Sequence, residues 1–173
     1  MKRQICISML LAICFVTNAK TYRASTECIN HIKKYEQCSL TSYPDANGYS
    51  IGWGHHTASV KRGQCISQKQ ADAYLVSDVK TAEKYANILI SSLPYKFEFS
   101  QGFFDGLVSL VYNCGYGGVK KTKFYAALGR CRVKNGKMNK SDYDFTVSFV
   151  KNTNITSPGH KVRRRAEMNM MMK

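Results

Sequence analysis

Tyr35-Glu36-Gln37-Cys38-Ser39-Leu40-Thr41-Ser42-Tyr43-Pro44-Asp45-Ala46-Asn47-Gly48-Tyr49-Ser50-Ile51-Gly52-Trp53-Gly54-His55-His56 is the stretch on which the reading of the chain turns. Pro44, the Asn47-Gly48 pair, Gly52 and Gly54 punctuate it at intervals that suit short strands and tight turns, so a small antiparallel sheet is expected here. One acid, Glu36, stands just ahead of the hairpin and a second, Asp45, sits in its turn. Three glycines, a serine, a tryptophan and two histidines then follow within a few residues. A plain hairpin needs far fewer residues of special geometry, which makes this one a candidate functional site.

Outward from the hairpin the chain is mostly helical. Cys28, Ile29, Ile32 and Tyr35 recur every three to four residues, predicting an amphipathic helix over Thr26 to Tyr35 capped by Ser25 or Thr26, with Glu36 at its end. Ser67-Gln68-Lys69-Gln70 forms a capping box that opens a long helix. Its apolar face runs through Ala71, Tyr74, Leu75, Val79, Ala82, Ala86, Leu89 and Ile90 until Leu93-Pro94 stops it, and it is expected to link two lobes. From Phe99 to Tyr112 the residues are apolar on nearly all sides, the mark of a helix buried in the core, closed by Gly115-Tyr116-Gly117-Gly118. Further helices are predicted over Val119 to Leu128, from a Ser141 cap through Val150, and from about Lys161 onward. The sum is an α+β architecture, helical with a small antiparallel sheet near its start.

At 173 residues and 44% hydrophobic composition the chain can bury a genuine core. Lys2 and Arg3 precede an apolar run from Ile5 to Val16, and Thr17-Asn18-Ala19 offers a cleavage site, the pattern of a secretory signal peptide over residues 1–19. That run falls short of the roughly 20 residues that span a bilayer. The expectation is therefore a single domain over 20–173, secreted or periplasmic, with no stable membrane span after processing. Losing Lys2 and Arg3 lowers the formal charge from +15 to +13, still basic enough to favour polyanions such as nucleic acid, anionic membrane or bacterial cell wall. Cys28, Cys38, Cys65, Cys114 and Cys131 remain, and an oxidising compartment permits up to two bridges whose pairing the spacing leaves open. No cysteine or histidine spacing suits a metal, and no metal or other cofactor is expected.

Two carboxyl groups facing one another across a groove are what glycoside hydrolysis requires: one protonates the leaving oxygen, the other attacks the sugar or activates water. Glu36 and Asp45, nine positions apart across a helix end and a turn, could stand so. Taken singly each has a bland explanation, a solvated helix-end Glu and a turn Asp. Together, Glu36, the Tyr43-x-Asp45-x-x-Gly48 turn and the Ile51-Gly52-x-Gly54-His55 run resemble the active-site signature of the phage-type lysozymes, glycoside hydrolase family 24. The likeness continues through the Ile66-Ser67 helix start with Asp78, the Phe104-to-Gly115 helix with Asn113, and Pro158-Gly159-x-x-Val162-Arg163-Arg164-Arg165-Ala166-Glu167, so it covers roughly residues 25 to 170.

That resemblance implies a lysozyme-like fold and a muramidase that cuts the β-1,4 bond between N-acetylmuramic acid and N-acetylglucosamine in peptidoglycan glycan strands. It implies Glu36 as general acid and Asp45 as the base that activates water, with inversion and carboxyl groups about 6.5–9.5 Å apart. At the third catalytic position the family has Thr and this chain has Ser50, with one residue fewer after the turn glycine. Serine keeps the hydroxyl but lacks the methyl that restricts its rotamer. By the same carry-over His55 pairs structurally with Asp78 and Asn113 meets substrate. Arg163 or Arg164 supplies a cation near the acid, or else these are simply a basic helix end. A cation favours the carboxylate whereas a general acid works protonated, so partial burial has to offset it. Trp53 either stacks on a sugar or packs in the core; His56 has no assigned partner.

The competing readings are a lytic transglycosylase, which needs one acid, and a weakened hydrolase that disrupts walls or membranes by charge as an antibacterial protein. A nucleic-acid binder finds support only in clusters such as Lys120-Lys121-Thr122-Lys123, with no recognition motif. Peptidoglycan is the expected partner and a monomer the expected state. Phage lysis, wall remodelling and defence against bacteria all fit the sequence.

Overall fold

In the computed structural model, residues 20–45 and 47–173 are described; the leader expected over 1–19 lies outside them. The order is α1 (Thr26–Glu36), β1 (Ser39–Asp45), β2 (Gly48–Gly52), β3 (His55–His56), α2 (Gln68–Ser91), α3 (Gln101–Lys120) and α4 (Lys123–Leu128). A hairpin of β4 (Val133–Lys134) and β5 (Lys137–Met138) precedes α5 (Lys140–Ser148), a 3-10 turn (Phe149–Asn152) and α6 (Pro158–Met171). The three-stranded antiparallel sheet β1-β2-β3 and the helical remainder give the α+β arrangement.

Each helix starts where a side chain satisfies an orphan backbone N–H. Ser25 accepts from the Cys28 amide to open α1, and the Ser67–Gln70 capping box is complete at the start of α2. The helix predicted over Val119 to Leu128 begins only at Lys123, because the Thr122 side chain accepts from the Tyr125 amide and caps it there. Val119 and Lys120 instead finish α3, which passes through Gly115 in a left-handed conformation (φ 69°) rather than stopping at it. Asn139, not Ser141, caps α5, and Ser157 caps α6, which starts at Pro158, three residues before the expected start near Lys161.

The apolar pattern becomes two cores, and α2 runs between them. Ala71, in its first turn, packs with Ile51, Val60 and Ile66 beneath the sheet. Leu75, Val79, Ala82, Ala86 and Leu89, further along the same face, join the larger cluster built around Phe103, Phe104, Leu107, Val108, Leu110 and Val111 of α3. That central helix is buried on nearly every side, as its composition required. α6 lies across α3, and this crossing brings the C-terminal arginines to the end of α1. Among the described residues no helix is long and apolar enough to cross a membrane, and Cys28, Cys38, Cys65, Cys114 and Cys131 are all unbridged.

Candidate active site

The end of α1 and the face of the hairpin supply the two acids. α1 stops at Glu36 because Gln37 turns into the left-handed region (φ 53°) and carries the chain away toward β1. Glu36 is half-buried. Its Oε1 accepts from Nη1 of Arg163, and its Oε2 faces Gly54, where a Cβ would come within 3.2 Å of it. Gly54 has φ +93°, so both its conformation and its closeness to the carboxylate call for glycine.

Strand register sets the rest. Tyr43 pairs with Ser50 across β1 and β2, Asp45 pairs with Gly48, and Ser50 pairs with His56 across β2 and β3. Directly paired residues and their i+2 neighbours share one face of a sheet, so Tyr43, Asp45, Ser50 and His56 lie together. Ser50 is fully buried, and its hydroxyl donates to Oδ2 of Asp45 at 2.6 Å while standing 3.1 Å from Nδ1 of His56. Asp45 itself is exposed. The hydroxyl at position 50 thus reaches the second acid despite the missing methyl.

Two tyrosines join the acids. Burial pushes the Tyr43 phenol up, and the Asp45 and Glu36 carboxylates, both close enough to act on it, push it further. Tyr112 donates from its hydroxyl to the Trp53 carbonyl at 2.9 Å, and its phenol is raised by burial and then by Asp78 and Glu36. Both phenols therefore remain neutral donors in the working range. Tyr43 belongs to the hairpin motif already read from the sequence, whereas patterning placed Tyr112 only in the apolar core helix.

Behind Glu36 runs a buried chain of charges. Arg163 also donates from Nε to Oε1 of Glu167 at 3.1 Å, and that oxygen accepts from Ser109 Oγ at 2.6 Å. Arg164 donates to the other Glu167 oxygen and to Oδ1 of Asn113. Burial pulls the Arg163 guanidinium down, but the Glu36 and Glu167 carboxylates outweigh it and hold it above its ordinary value. Of the two candidate cations, Arg163 is the one at the acid. Arg164 points the other way, and Asn113 spends its carbonyl on Arg164, leaving its amide N–H groups for another partner.

The opposite face of the hairpin is structural in its contacts. His55 Nδ1 lies 2.8 Å from Asp78 Oδ2 on α2, and its ring stacks on Tyr74 at 4.3 Å. Trp53 donates from Nε1 to Asp72 at 2.9 Å, with the Lys33 ammonium 5.0 Å from its ring centroid. Its indole is therefore tied to α1 and α2. His56, left without a partner by the sequence, is in contact with the Asp45–Ser50 pair; pairing across the glycine-rich turn that places it opposite Ser50 was the signal that could have found it. Among the described residues no group of three His, Cys, Asp or Glu side chains could hold a metal ion.

A family model described as phage lysozyme matches residues 33–167. The endolysin of Lactococcus phage c2 is 41% identical over 96 residues, covering 54% of this chain and 40% of that protein. The endolysin of Bacillus phage PZA is 34% identical over 108 residues, 61% of this chain and 40% of the relative. The chain thus spans about 40% of the length of these curated relatives. Among solved structures, an endolysin from Escherichia coli O157:H7 phage FAHEc1 superposes with a TM-score of 0.70 at 26% identity, covering 89% of this chain and 96% of that one. The muramidase domain of SpmX from Asticaccaulis excentricus shares the fold, with a TM-score of 0.70 at 19% identity over 88% of this chain and 99% of that one.

Proposed function

The chain belongs to the phage lysozyme family, and from that premise we propose that it is a peptidoglycan hydrolase of the muramidase type. It cleaves the β-1,4 bond between N-acetylmuramic acid and N-acetylglucosamine with inversion. Glu36 protonates the glycosidic oxygen as that bond breaks. Asp45, aided by the Ser50 hydroxyl, takes a proton from water as the water attacks the anomeric carbon from the opposite side of the ring. The observation that carries this reading is that both acids meet one hairpin: half-buried Glu36 has its Oε2 against Gly54 between β2 and β3, and exposed Asp45 at the β1–β2 turn accepts from Ser50 on β2. Different surroundings for two carboxyls are what an acid and a base require. Room for the water calls for about 6.5–9.5 Å between the carboxyl groups.

Trp53 and Asn113 are carried as substrate contacts, Asn113 through the amide N–H groups that Arg164 leaves free. Arg163 orients Glu36, and His55 with Asp78 anchors the hairpin to α2. The domain over 20–173 acts as a monomer after export by the leader over 1–19, and needs no cofactor. Its formal charge, +13 once Lys2 and Arg3 have gone from the +15 of the full chain, draws it to walls that carry carboxylates and phosphate polymers.

Mass spectrometry of purified peptidoglycan after incubation tests the proposal. Reducing muramic ends are expected, and their loss in Glu36→Gln. Anhydro ends would replace hydrolysis with lytic transglycosylation. Intact glycan, or lysis undiminished by Glu36→Gln, would leave a charge-driven antibacterial protein in its place.

A further inference from the structure

His56 touches the hairpin site and is used by none of the roles above. Its Nδ1 stands 3.1 Å from Ser50 Oγ, and its ring lies over Gly48, where a Cβ would come 3.3 Å from His56 Cε1. Gly48 is not among the residues with positive φ, so its backbone conformation does not itself demand glycine. Room for the imidazole does.

We infer that His56 is a positioning residue: it holds the Ser50 hydroxyl aimed at Asp45, doing here what a β-branched side chain does by its own stiffness. The inference rests on Asp45 and Ser50 acting as proposed above. A threonine at position 50 would have its χ1 narrowed by the second heavy atom on Cβ. Serine has three staggered choices and nothing covalent to select one. Two hydrogen bonds from opposite sides select it instead, one to Asp45 on β1 and one from His56 on β3, because Ser50 occupies the middle strand.

Proton counting fixes the direction of this chain. A serine hydroxyl has one proton, and an ionised carboxylate can only accept. At 2.6 Å the Ser50 proton belongs to the bond with Asp45 Oδ2. Ser50 can then only accept from His56, so Nδ1 of His56 carries a proton. That is true of the Nδ1–H neutral tautomer and of the imidazolium alike, and the relay Nδ1–H to Oγ, O–H to Oδ2 survives titration of the ring. His56 Nδ1 is 4.0 Å from Asp45 Oδ2, beyond a hydrogen bond, so the histidine acts on the acid through the serine.

Two measurements test this. Nitrogen-15 shifts of the His56 ring in the whole protein, above its titration, should show Nδ1 protonated and Nε2 bare; a bare Nδ1 overturns the relay. In steady-state kinetics on soluble peptidoglycan fragments, His56→Leu should lower kcat about five- to tenfold with KM within about twofold, the size expected for one lost orienting hydrogen bond. His56→Asn, whose Nδ2–H group falls near the Nδ1–H position, should recover most of that loss, and Gly48→Ala, which displaces the ring, should reproduce part of it. In a Ser50→Thr background the cost of His56→Leu should fall below about twofold. A full-rate His56→Leu, or an Asn variant as slow as the Leu variant in a protein that melts normally, overturns the positioning role. Retained turnover in Glu36→Gln would sink the hydrolase reading, and the ring shifts would still decide the relay.

Discussion

Glu167→Gln is the sharpest single perturbation of the scaffold behind the acid. Glu167, Arg163 and Arg164 are all almost wholly buried, and with Glu36 they alternate in sign. Glu167 is the carboxylate that the two buried guanidiniums share. Glutamine keeps the shape of glutamate, so no cavity forms, but both guanidiniums lose the negative charge between them in a place shut away from water. The new amide must also turn an N–H toward a guanidinium or toward Ser109. Removing one partner of a buried ion pair costs about 3–5 kcal/mol. Each kcal/mol lowers Tm by about 2–4 °C in a domain of this size. A drop of about 6–20 °C is therefore expected by scanning calorimetry at neutral pH. Glu98→Gln, which breaks the fully exposed pair with Lys20, should leave Tm within experimental scatter. Adding Arg164→Met to Glu167→Gln removes one of the two guanidiniums and should recover part of the loss. If Glu167→Gln costs less than about 1 kcal/mol, the four groups are not electrostatically coupled as the distances imply, and Arg163 is held at Glu36 by packing alone.

The crossing of α3 and α6 predicts opposite outcomes for two helical glycines. At Gly106 a Cβ would come 3.0 Å from the Glu167 carbonyl and 2.6 Å from Met171 Cγ, so Gly106→Ala should destabilise by about 1–3 kcal/mol despite its better helix propensity. Gly117 has nothing within 4 Å, and Gly117→Ala should stabilise by about 0.5–1 kcal/mol in urea melts. His31 predicts an acid weakness. Burial pulls its imidazole down to about 4, with Arg163, Lys34 and Arg164 adding to the effect, and its Nε2 is buried without a partner. Between about pH 4 and 6.5 the unfolded chain binds the proton that the folded chain refuses, so this contribution is complete above pH 6.5 and is lost as pH falls toward 4. The gap corresponds to about 3 kcal/mol, of which about half is expected because the ring keeps some contact with solvent. His31→Met should flatten the pH dependence of Tm across that window; an unchanged slope would refute it.

What the sequence made legible is what local chemistry writes down. The Ser67 capping box, the all-round apolar α3 and the glycine-punctuated hairpin each follow from side chains a few residues apart, and each has its counterpart in the structure. The misplaced boundaries came from competition between neighbouring caps. Thr122 and Asn139 hold their helix starts against Val119 and Ser141, and an apolar pattern cannot say which hydroxyl or amide finds the free N–H. The β4–β5 hairpin was missed although Asn135-Gly136 marks it, both residues having positive φ (52° and 69°), because two-residue strands carry no periodicity. The choice between Arg163 and Arg164 lay beyond local chemistry altogether. Adjacent positions on a helix point about 100° apart, and which one meets Glu36, 127 residues away, is decided by how α6 crosses α3.

The two adjacent histidines make the same point about the site. In a strand, consecutive side chains face opposite sides, so one position separates a residue that meets α2 from one that stands beside Ser50 and Asp45. His55, paired with Ile51, follows that residue toward α2 and meets Asp78; His56, paired with Ser50, is placed beside Asp45. A one-residue slip of β3 against β2 would set either His55 opposite Ser50 or His56 opposite Ile51, so one of the two contacts, with Asp78 or with Ser50, would be lost. Only the observed register makes both, and the Asp78 pair adds to what holds it. The contact of His55 with Asp78 and that of His56 with Ser50 therefore support one another, and the geometry at Asp45 is linked to a contact made on the far side of the sheet.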